Sequence, residues 1–321
     1  MTDKTSRNLR YVAIKLIELI ATLLLVSFLT FAAFSIIPGD AARTMLGPNA
    51  TPDQVEHLRE QLGLNEPLIM QYLHWLGGLF TGNLGMSVAY KMPVMTLIAE
   101  RLPVTIGMSL IATIMVIVIS YPLAVLSARK PGKAGDQICS FLGHVLFAIP
   151  PFVLSLLLIL LTSKALKIFT VGRYAAPAQN FGLYVASLIL PSFAIALPKI
   201  AMTFKFMRSA VIEQNNSEYV KTAKSHGLSN LKILVSHVLP NSNVSSITIL
   251  SLVLSDILGG SLIVEQVFNL PGLGRLLLSA IARRDFPLLS GMVFYLALIT
   301  VILYFLSDIL AGMSDPRIRL K

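Results

Sequence analysis

Six stretches of this chain carry no charged side chain: Leu19–Gly39, Leu102–Ala128, Gln137–Ser163, Tyr174–Pro198, Ile233–Ser255 and Phe286–Ser307. About 20 mostly apolar residues in helical form cross the hydrocarbon core of a bilayer. Apolar surface facing lipid needs no charged coat, and backbone polar groups there must be satisfied within the segment, so each stretch predicts a helix. Charged residues make up 13% of the 321, about half of the roughly 25% usual in soluble domains. The expected fold class is an all-α integral membrane protein with about six transmembrane helices. One cysteine and five histidines exclude a disulfide framework and a cysteine-rich metal site.

Basic residues set the orientation, because cytoplasmic loops retain Lys and Arg. With the amino terminus inside, fifteen Lys and Arg lie on the inner side against ten outside, the latter spread over longer loops. Both termini are therefore expected in the cytoplasm, and the formal net charge of +10 reads as loop bias rather than nucleic-acid affinity. The first stretch is too long for a cleaved signal peptide and reads as a span. Pro240-Asn241-Ser242-Asn243 reads as a break, which moves the fifth helix to about 244–264. Two units are expected: 1–101, the first span plus a small helical extracytoplasmic segment, and 102–321, a five-helix core. In that outer segment Thr51-Pro52-Asp53-Gln54 forms a capping-box pattern and Gly63 ends its helix. A second helix from Pro67 aligns Leu68, Tyr72, Leu76 and Leu79, with Trp75 nearby. It is expected either to cap the spans or to lie at the interface.

Bond-breaking chemistry has no footing here. No G-x-x-x-x-G-K-[ST] phosphate loop occurs, and Pro271-Gly272-Leu273-Gly274-Arg275 lacks a preceding strand and a phosphate-binding lysine, so it reads as a turn between helices. His57, His74, His144, His226 and His237 form no i, i+4 pair, and no metal site is expected. No Gly-x-Ser-x-Gly elbow is present. No catalytic residue is assigned.

The most informative stretch is Ser217–Asn241, SEYVKTAKSHGLSNLKILVSHVLPN. Asn216 or Ser217 can cap a short helix whose first turn carries Glu218. Gly227 stands where a left-handed C-cap is needed, and Ser229 can cap a second helix. A structured helix–turn–helix between two spans on the cytoplasmic face suits the docking of a partner.

The pattern Ala223-x3-Gly227-x9-His237-x-Leu239-Pro240 resembles the EAA loop of binding-protein-dependent ABC transporter permeases. Lys221, Thr222 and His237 stand where that family has Glu, Ala and Ile. The stretches IPGDAARTMLGPNATPDQVEHLREQLGLNEPLIMQYLHWL (37–76), GNLGMS (82–87), VEQVFNLPGLGRLLLSAIARRDFPL (264–288) and DILAGMSDPRIR (308–319) narrow the likeness to the first permease of oligopeptide, dipeptide and nickel systems. The resemblance implies a type I importer permease fold in the bacterial or archaeal inner membrane. It implies four kinds of partner: a homologous second permease, two ABC ATPases, an extracytoplasmic binding protein and membrane lipid, with no nucleic acid. ATP and Mg would sit on the ATPases, with no cofactor on this chain. Lys221, Ala223 and Gly227 would lie on the coupling loop, about 217–240. Ala223 would enter a groove of the ATPase, and Leu239-Pro240 would return the chain toward the membrane. Pro38, Gly39, Asp40, Pro271, Gly272, Gly274, Asp308, Asp315, Pro316 and Arg317 match signature positions with structural roles.

Charges near the spans complete the set. A carboxylate at the bilayer centre costs roughly 2.5–3.5 kcal/mol on insertion scales, so Asp256 needs a partner or water. Lys199 could pair with a carboxylate if the helices adjoin. Asp256 either lines a translocation path or makes a buried polar contact; for Glu265 and Asp308 structural roles are favoured. Gly259-Gly260-Ser261 permits tight helix packing or a bend, and tight packing is the expectation. Pro150-Pro151, Pro191 and Pro198 divide their spans. Short peptides are the expected cargo, with nickel or a metal chelate as the alternative. A gradient-driven secondary transporter using Asp256 and Glu265 is the rival class, and it would leave the cytoplasmic loop unexplained.

Overall fold

A computed structural model describes residues 2–36, 41–47, 49–61 and 63–314, with side chains placed outside 2–9, 41, 44, 45, 61, 243–248, 251 and 310–314. Among them the secondary structure is helical, with one isolated β-bridge between Met86 and Pro93. In chain order the elements are α1 (Thr2–Ile36), α2 (Ala41–Leu46), α3 (Pro52–Gln61), α4 (Leu68–Thr81), α5 (Val94–Ala128), α6 (Ala134–Ala148), α7 (Pro151–Ile159), α8 (Phe181–Asn215), α9 (Glu218–Ser225), α10 (Asn230–Ile233), α11 (Leu239–Val267), α12 (Leu273–Ala282) and α13 (Phe286–Ser314).

Four helices among the described residues have the length and apolarity to cross a membrane: 10–36 of α1, α5, α8, and 286–309 of α13. The α6–α7 pair adds a fifth as a broken span, bent by 101°. The remaining apolar stretch lies in α11, whose 29 residues have the length of a span, about 43 Å at 1.5 Å per residue.

Prolines act differently in the two places where they were expected to divide spans. At Pro150-Pro151 the break is real. Ile149 is extended (φ −88°, ψ 123°) and Pro150 likewise (φ −60°, ψ 145°), as expected of a residue that precedes proline. Pro191 and Pro198, in contrast, lie inside an unbroken α8. The expected end of that span at Pro198 is therefore corrected: the helix starts at Phe181, capped by Asn180 Oδ1 accepting from the Leu183 amide at 2.9 Å, and runs on to Asn215. The residues after Pro198 extend about 25 Å further at 1.5 Å per residue. The expected break at 240–243 is also absent. A π segment at Leu234–Val238, closed by the Leu239 amide on Leu234 O, joins α10 to α11, and Pro240 falls in the first turn of α11. A widened turn relieves the clash between a proline ring and the preceding carbonyls.

The chain forms two compact units. The first comprises the described parts of Met1–Lys15, Val104–Leu270 and Leu303–Lys321. In it α8 is the central helix, packed against α6, α7 and α11. Its larger apolar cluster includes Val104, Met108, Leu188, Ile195, Ile257 and Phe268. Gly107 lets α5 and α8 approach closely, since a Cβ there would lie 1.9 Å from the Tyr184 hydroxyl. Lys15 of α1 pairs with Asp308 of α13 at 2.9 Å, and Tyr11 donates to the Asp308 carbonyl at 3.0 Å.

The second unit comprises Leu16–Pro103 and Pro271–Ile302, around a cluster that includes Leu84, Val94, Ile98, Leu276 and Leu288. The capping box forms as expected: the Gln54 amide donates to Thr51 Oγ1 at 3.4 Å and the Thr51 amide to Gln54 Oε1 at 3.0 Å. Gly63 follows that helix with φ +66°. On α4, Tyr72 and Trp75 stack among Phe28, Phe31 and Phe294, and Tyr72 Oη bonds Ser27 Oγ at 2.8 Å. Leu68, expected on that face, is instead exposed with Ile69, Leu73 and Phe80. This helix packs Tyr72 and Trp75 inward and leaves an apolar stripe, Phe80 included, outward. The carboxylate of Asp285, 1% exposed, fastens the start of α13 to the 87–89 turn. It accepts from Ser87 Oγ at 2.5 Å, the Ala89 amide at 3.0 Å and the Leu288 amide at 3.2 Å.

Candidate functional site

The 217–241 stretch forms a packed helical loop. Ser217 precedes α9 in extended conformation. The helix ends in a Schellman motif: the Leu228 amide bonds Ala223 O at 3.2 Å and the Gly227 amide bonds Lys224 O at 3.0 Å. This closure places Gly227 at φ +77°, where a Cβ costs strain and glycine does not. Ser229 then caps α10 by accepting from the Lys232 amide at 3.4 Å.

Apolar packing anchors the loop. Val220 and Ala223 of α9, Ile233 of α10 and Val238 of the π segment join Ala124 and Ala128 of α5 and Phe204, Met207 and Val211 of α8 in one buried cluster. Ala223 is 6% exposed and packs in this cluster, while it also lines the cleft beside the outer face of α9. The side chains α9 turns outward are Glu218, Lys221, Thr222, Lys224 and Ser225, and Lys221 Nζ is held by Glu218 at 2.7 Å. Beside them lies a shallow cleft of about 480 Å³ lined by Tyr219, Thr222, Ala223, His226, Leu228 and His237. Leu239 and Pro240 form the first turn of α11, the helix into which the loop continues.

Behind this loop lies an ion pair that sequence reasoning did not identify. Arg208 of α8 grips Asp136 of α6 with both ends of its guanidinium, Nε to Oδ1 at 2.5 Å and Nη2 to Oδ2 at 2.6 Å. The same carboxylate accepts from Ser127 Oγ at the end of α5 and from the Gly132 amide at 2.7 Å. Asp136 is 5% exposed. A hint was present for one partner: Asp136 directly borders the charge-free stretch 137–163, where a charge left unpaired is costly.

The remaining candidates separate into enclosed and open groups. Glu265 is fully buried and accepts from Thr105 Oγ1 at 2.6 Å, linking α11 to α5. Lys199 and Asp256 do meet, Nζ to Oδ2 at 2.8 Å, joining α8 to α11. The lysine side chain is 18% exposed, whereas that of Asp256 is 55% exposed. Leu252, Asp256, Gly259, Ile263 and Gln266 recur at intervals of four and three as exposed positions on one face of α11. Gly259 and Gly260 have nothing within 4 Å of a Cβ position, so the expected tight packing at these glycines is not found among the described residues; of that trio Ser261 is buried. Asp308 is tied to Lys15 as described. Gly272 precedes α12 in extended conformation, and Gly274 is buried in its first turn, with Pro271 ahead of both. Pro38, Gly39, Asp40, Asp315, Pro316 and Arg317 lie outside the described residues. Among the described residues no three His, Cys, Asp or Glu side chains group as metal ligands.

The described residues thus form a helical membrane chain with a packed helical loop between two long helices, α8 and α11. Comparison with known proteins places it more closely. The family "Binding-protein-dependent transport system inner membrane component" matches residues 120–320, and its N-terminal companion matches residues 8–109. The chain belongs to this family, and is a multi-pass inner-membrane permease subunit of an ABC importer that works in a complex with other subunits. It is 36% identical to a putative peptide transport system permease protein of Brucella abortus (strain 2308), over 94% of this chain and 96% of that one. It is 34% identical to the oligopeptide transport system permease protein AppB of Bacillus subtilis (strain 168), over 96% and 98%. It is 31% identical to the glutathione transport system permease protein GsiC of Escherichia coli O6:H1, over 98% and 100%. Among solved structures, inward-facing conformations of the MetNI methionine ABC transporter share the fold, with a TM-score of 0.55 and 16% identity, covering 69% of this chain and 97% of that one.

Proposed function

We propose that this chain is one of two permeases of an ATP-driven importer for di- and oligopeptides, working by alternating access. A homologous second permease completes the pathway, two ABC ATPases bind on the cytoplasmic side, and an extracytoplasmic binding protein delivers the peptide. ATP and Mg are held by the ATPases, and this chain supplies no ATP site. The observation that carries the reading is the 217–240 loop: a short helix with a polar outer face, closed by a glycine at φ +77° and welded through its inner face to α5 and α8. Such an element passes a push on its outer face to the membrane helices instead of absorbing it. Peptide as cargo rests on the peptide, oligopeptide and glutathione transport named for its relatives. The open face of α11 around Asp256 is the part of this chain suited to line the pathway or to meet the second permease. There a carboxylate half-paired with Lys199 can meet a peptide amine.

The test is uptake of radiolabelled di- and oligopeptides into proteoliposomes holding the purified complex and its binding protein. Uptake that requires ATP and stops when the ATPase phosphate-loop lysine is replaced supports the reading. Peptide uptake by this chain alone, driven by an ion gradient, overturns it.

A further inference from the structure

We infer that Asp136 and Arg208 are positioning residues for force transfer, joining the lower part of α8 to the α5–α6 turn so that movement of the cytoplasmic loop reaches α5 and α6. The inference rests on the reading of α9 as the element that docks the ATPase.

Three observations lead there. First, α8 is 35 residues long, about 52 Å at 1.5 Å per residue and so roughly 20 Å longer than a ~30 Å hydrocarbon core, and passes through two residues, Asn216 and Ser217, into α9. A helix overhanging its span by this length bends under a sideways load unless braced. Second, Arg208 lies seven residues before the end of α8, two turns above the loop, and its brace is unusually complete. One carboxylate takes both guanidinium contacts, the Ser127 hydroxyl and the Gly132 amide. It thereby ties together the last turn of α5, the turn at Gly132 (φ +75°), the first turn of α6 and α8. Bidentate arginine–carboxylate pairs fix orientation as well as distance, which a brace requires. Third, the brace is a polar tie beside the apolar cluster that already holds α9: Ala128 and Met207 of that cluster are the chain neighbours of Ser127 and Arg208. Packing in that cluster joins the loop to α8 and α5, with Cys139 of α6 packed against it; the ion pair adds a directional, charged tie to the first turn of α6. On α8 the next ion pair, Lys199–Asp256, passes to α11. A displacement of α9 is thus divided between α6 through Arg208 and α11 through Lys199.

The experiment uses the full complex in proteoliposomes, with Asp136→Asn, Asp136→Glu and Arg208→Lys, and Gly227→Asp as a reference. Four quantities are read: ATPase recovered with the chain, basal ATP hydrolysis, its stimulation by peptide-loaded binding protein, and uptake. Asp136→Asn keeps the shape and removes the charge. It is expected to retain ATPase recovery and basal hydrolysis within about twofold, while stimulation and uptake fall at least tenfold. Asp136→Glu, which restores the carboxylate, is expected to recover part of both. Arg208→Lys, which keeps charge without the bidentate grip, should fall between. Uptake by Asp136→Asn within twofold of the parent overturns the inference. So does a parallel fall in ATPase recovery, basal hydrolysis and uptake, which would make the pair a fastening for assembly only. Normal uptake and ATPase recovery in Gly227→Asp would instead overturn the docking reading beneath it, so the two failures are distinguishable.

Discussion

Replacing Gly227 by alanine isolates the geometry of the cytoplasmic loop. The glycine is at φ +77° and nothing lies within 4 Å of the Cβ that alanine would add, so the substitution adds strain without a clash. An L-residue in the left-handed region costs about 1–2 kcal/mol, a factor of about 5–30 in a local equilibrium. The strain falls on the Schellman closure, in which Gly227 and Leu228 donate their amides to Lys224 and Ala223. Hydrogen exchange followed by mass spectrometry should show the amides at 227 and 228 opening about 5–30 times more readily in Gly227→Ala. Amides in the middle of α8 should be unchanged. Asparagine tolerates this conformation better than alanine and valine tolerates it worse, so protection should fall in the order Gly, Asn, Ala, Val, with ATP-driven uptake following. Equal protection in Gly227→Ala, or uptake that ignores this order, would refute the claim that the left-handed closure shapes the loop.

Other perturbations test other joints. Gly107→Ala drives a Cβ to 1.9 Å from the Tyr184 hydroxyl and 3.0 Å from Leu188 Cδ1; overpacking of this kind costs about 1–3 kcal/mol. It should lower the thermal unfolding midpoint, and adding Tyr184→Phe should recover part of the loss. Asp285→Ala removes the acceptor for Ser87, Ala89 and Leu288. It should destabilise the fold by about 2 kcal/mol, visible as a lower midpoint in detergent, whereas an unchanged midpoint would count against the fastening. Gly259→Ala meets open space and should leave the purified chain as stable or up to about 1 kcal/mol more so. Asp256→Asn should assemble normally yet transport peptide more slowly, as measured by initial uptake rates at matched protein levels.

Features that depend on neighbours in sequence could be read directly. Charge-free runs marked the apolar helices, the Thr51–Gln54 box and Gly63 marked α3, and the spacing of Ala223, Gly227 and Ser229 marked the α9–α10 turn. Each is decided within a few residues, where dihedral preference and local hydrogen bonding dominate. Proline was harder, because its effect depends on what can absorb it. Two prolines in a row broke α6 from α7, while Pro191 and Pro198 lie within the packed α8 and Pro240 follows a π segment. The fastenings least legible in sequence join distant residues: Asp136 with Arg208, 72 positions apart, and Ser87 with Asp285, 198 apart. Nothing local in either partner specifies the other. Asp285 could have been read as an N-cap before Phe286-Pro287, though its hold on the 87–89 turn could not. Lys199 and Asp256 were readable as two charges in want of a partner, and the fold supplied the pairing. Ala223 shows the converse: its place in the motif was legible, but the direction it faces depended on α8 and α5.

The central claim is that this chain takes its driving force from ATPases bound at the 217–240 loop. Affinity purification of the tagged chain from its own membranes in mild detergent, with co-purifying proteins identified by mass, tests it most directly. A second permease and one or two phosphate-loop ATPases should be recovered with the chain, and the ATPases should be lost in Gly227→Asp while the chain remains in the membrane. Recovery of the chain alone, or ATPases retained in full by Gly227→Asp, would contradict the account.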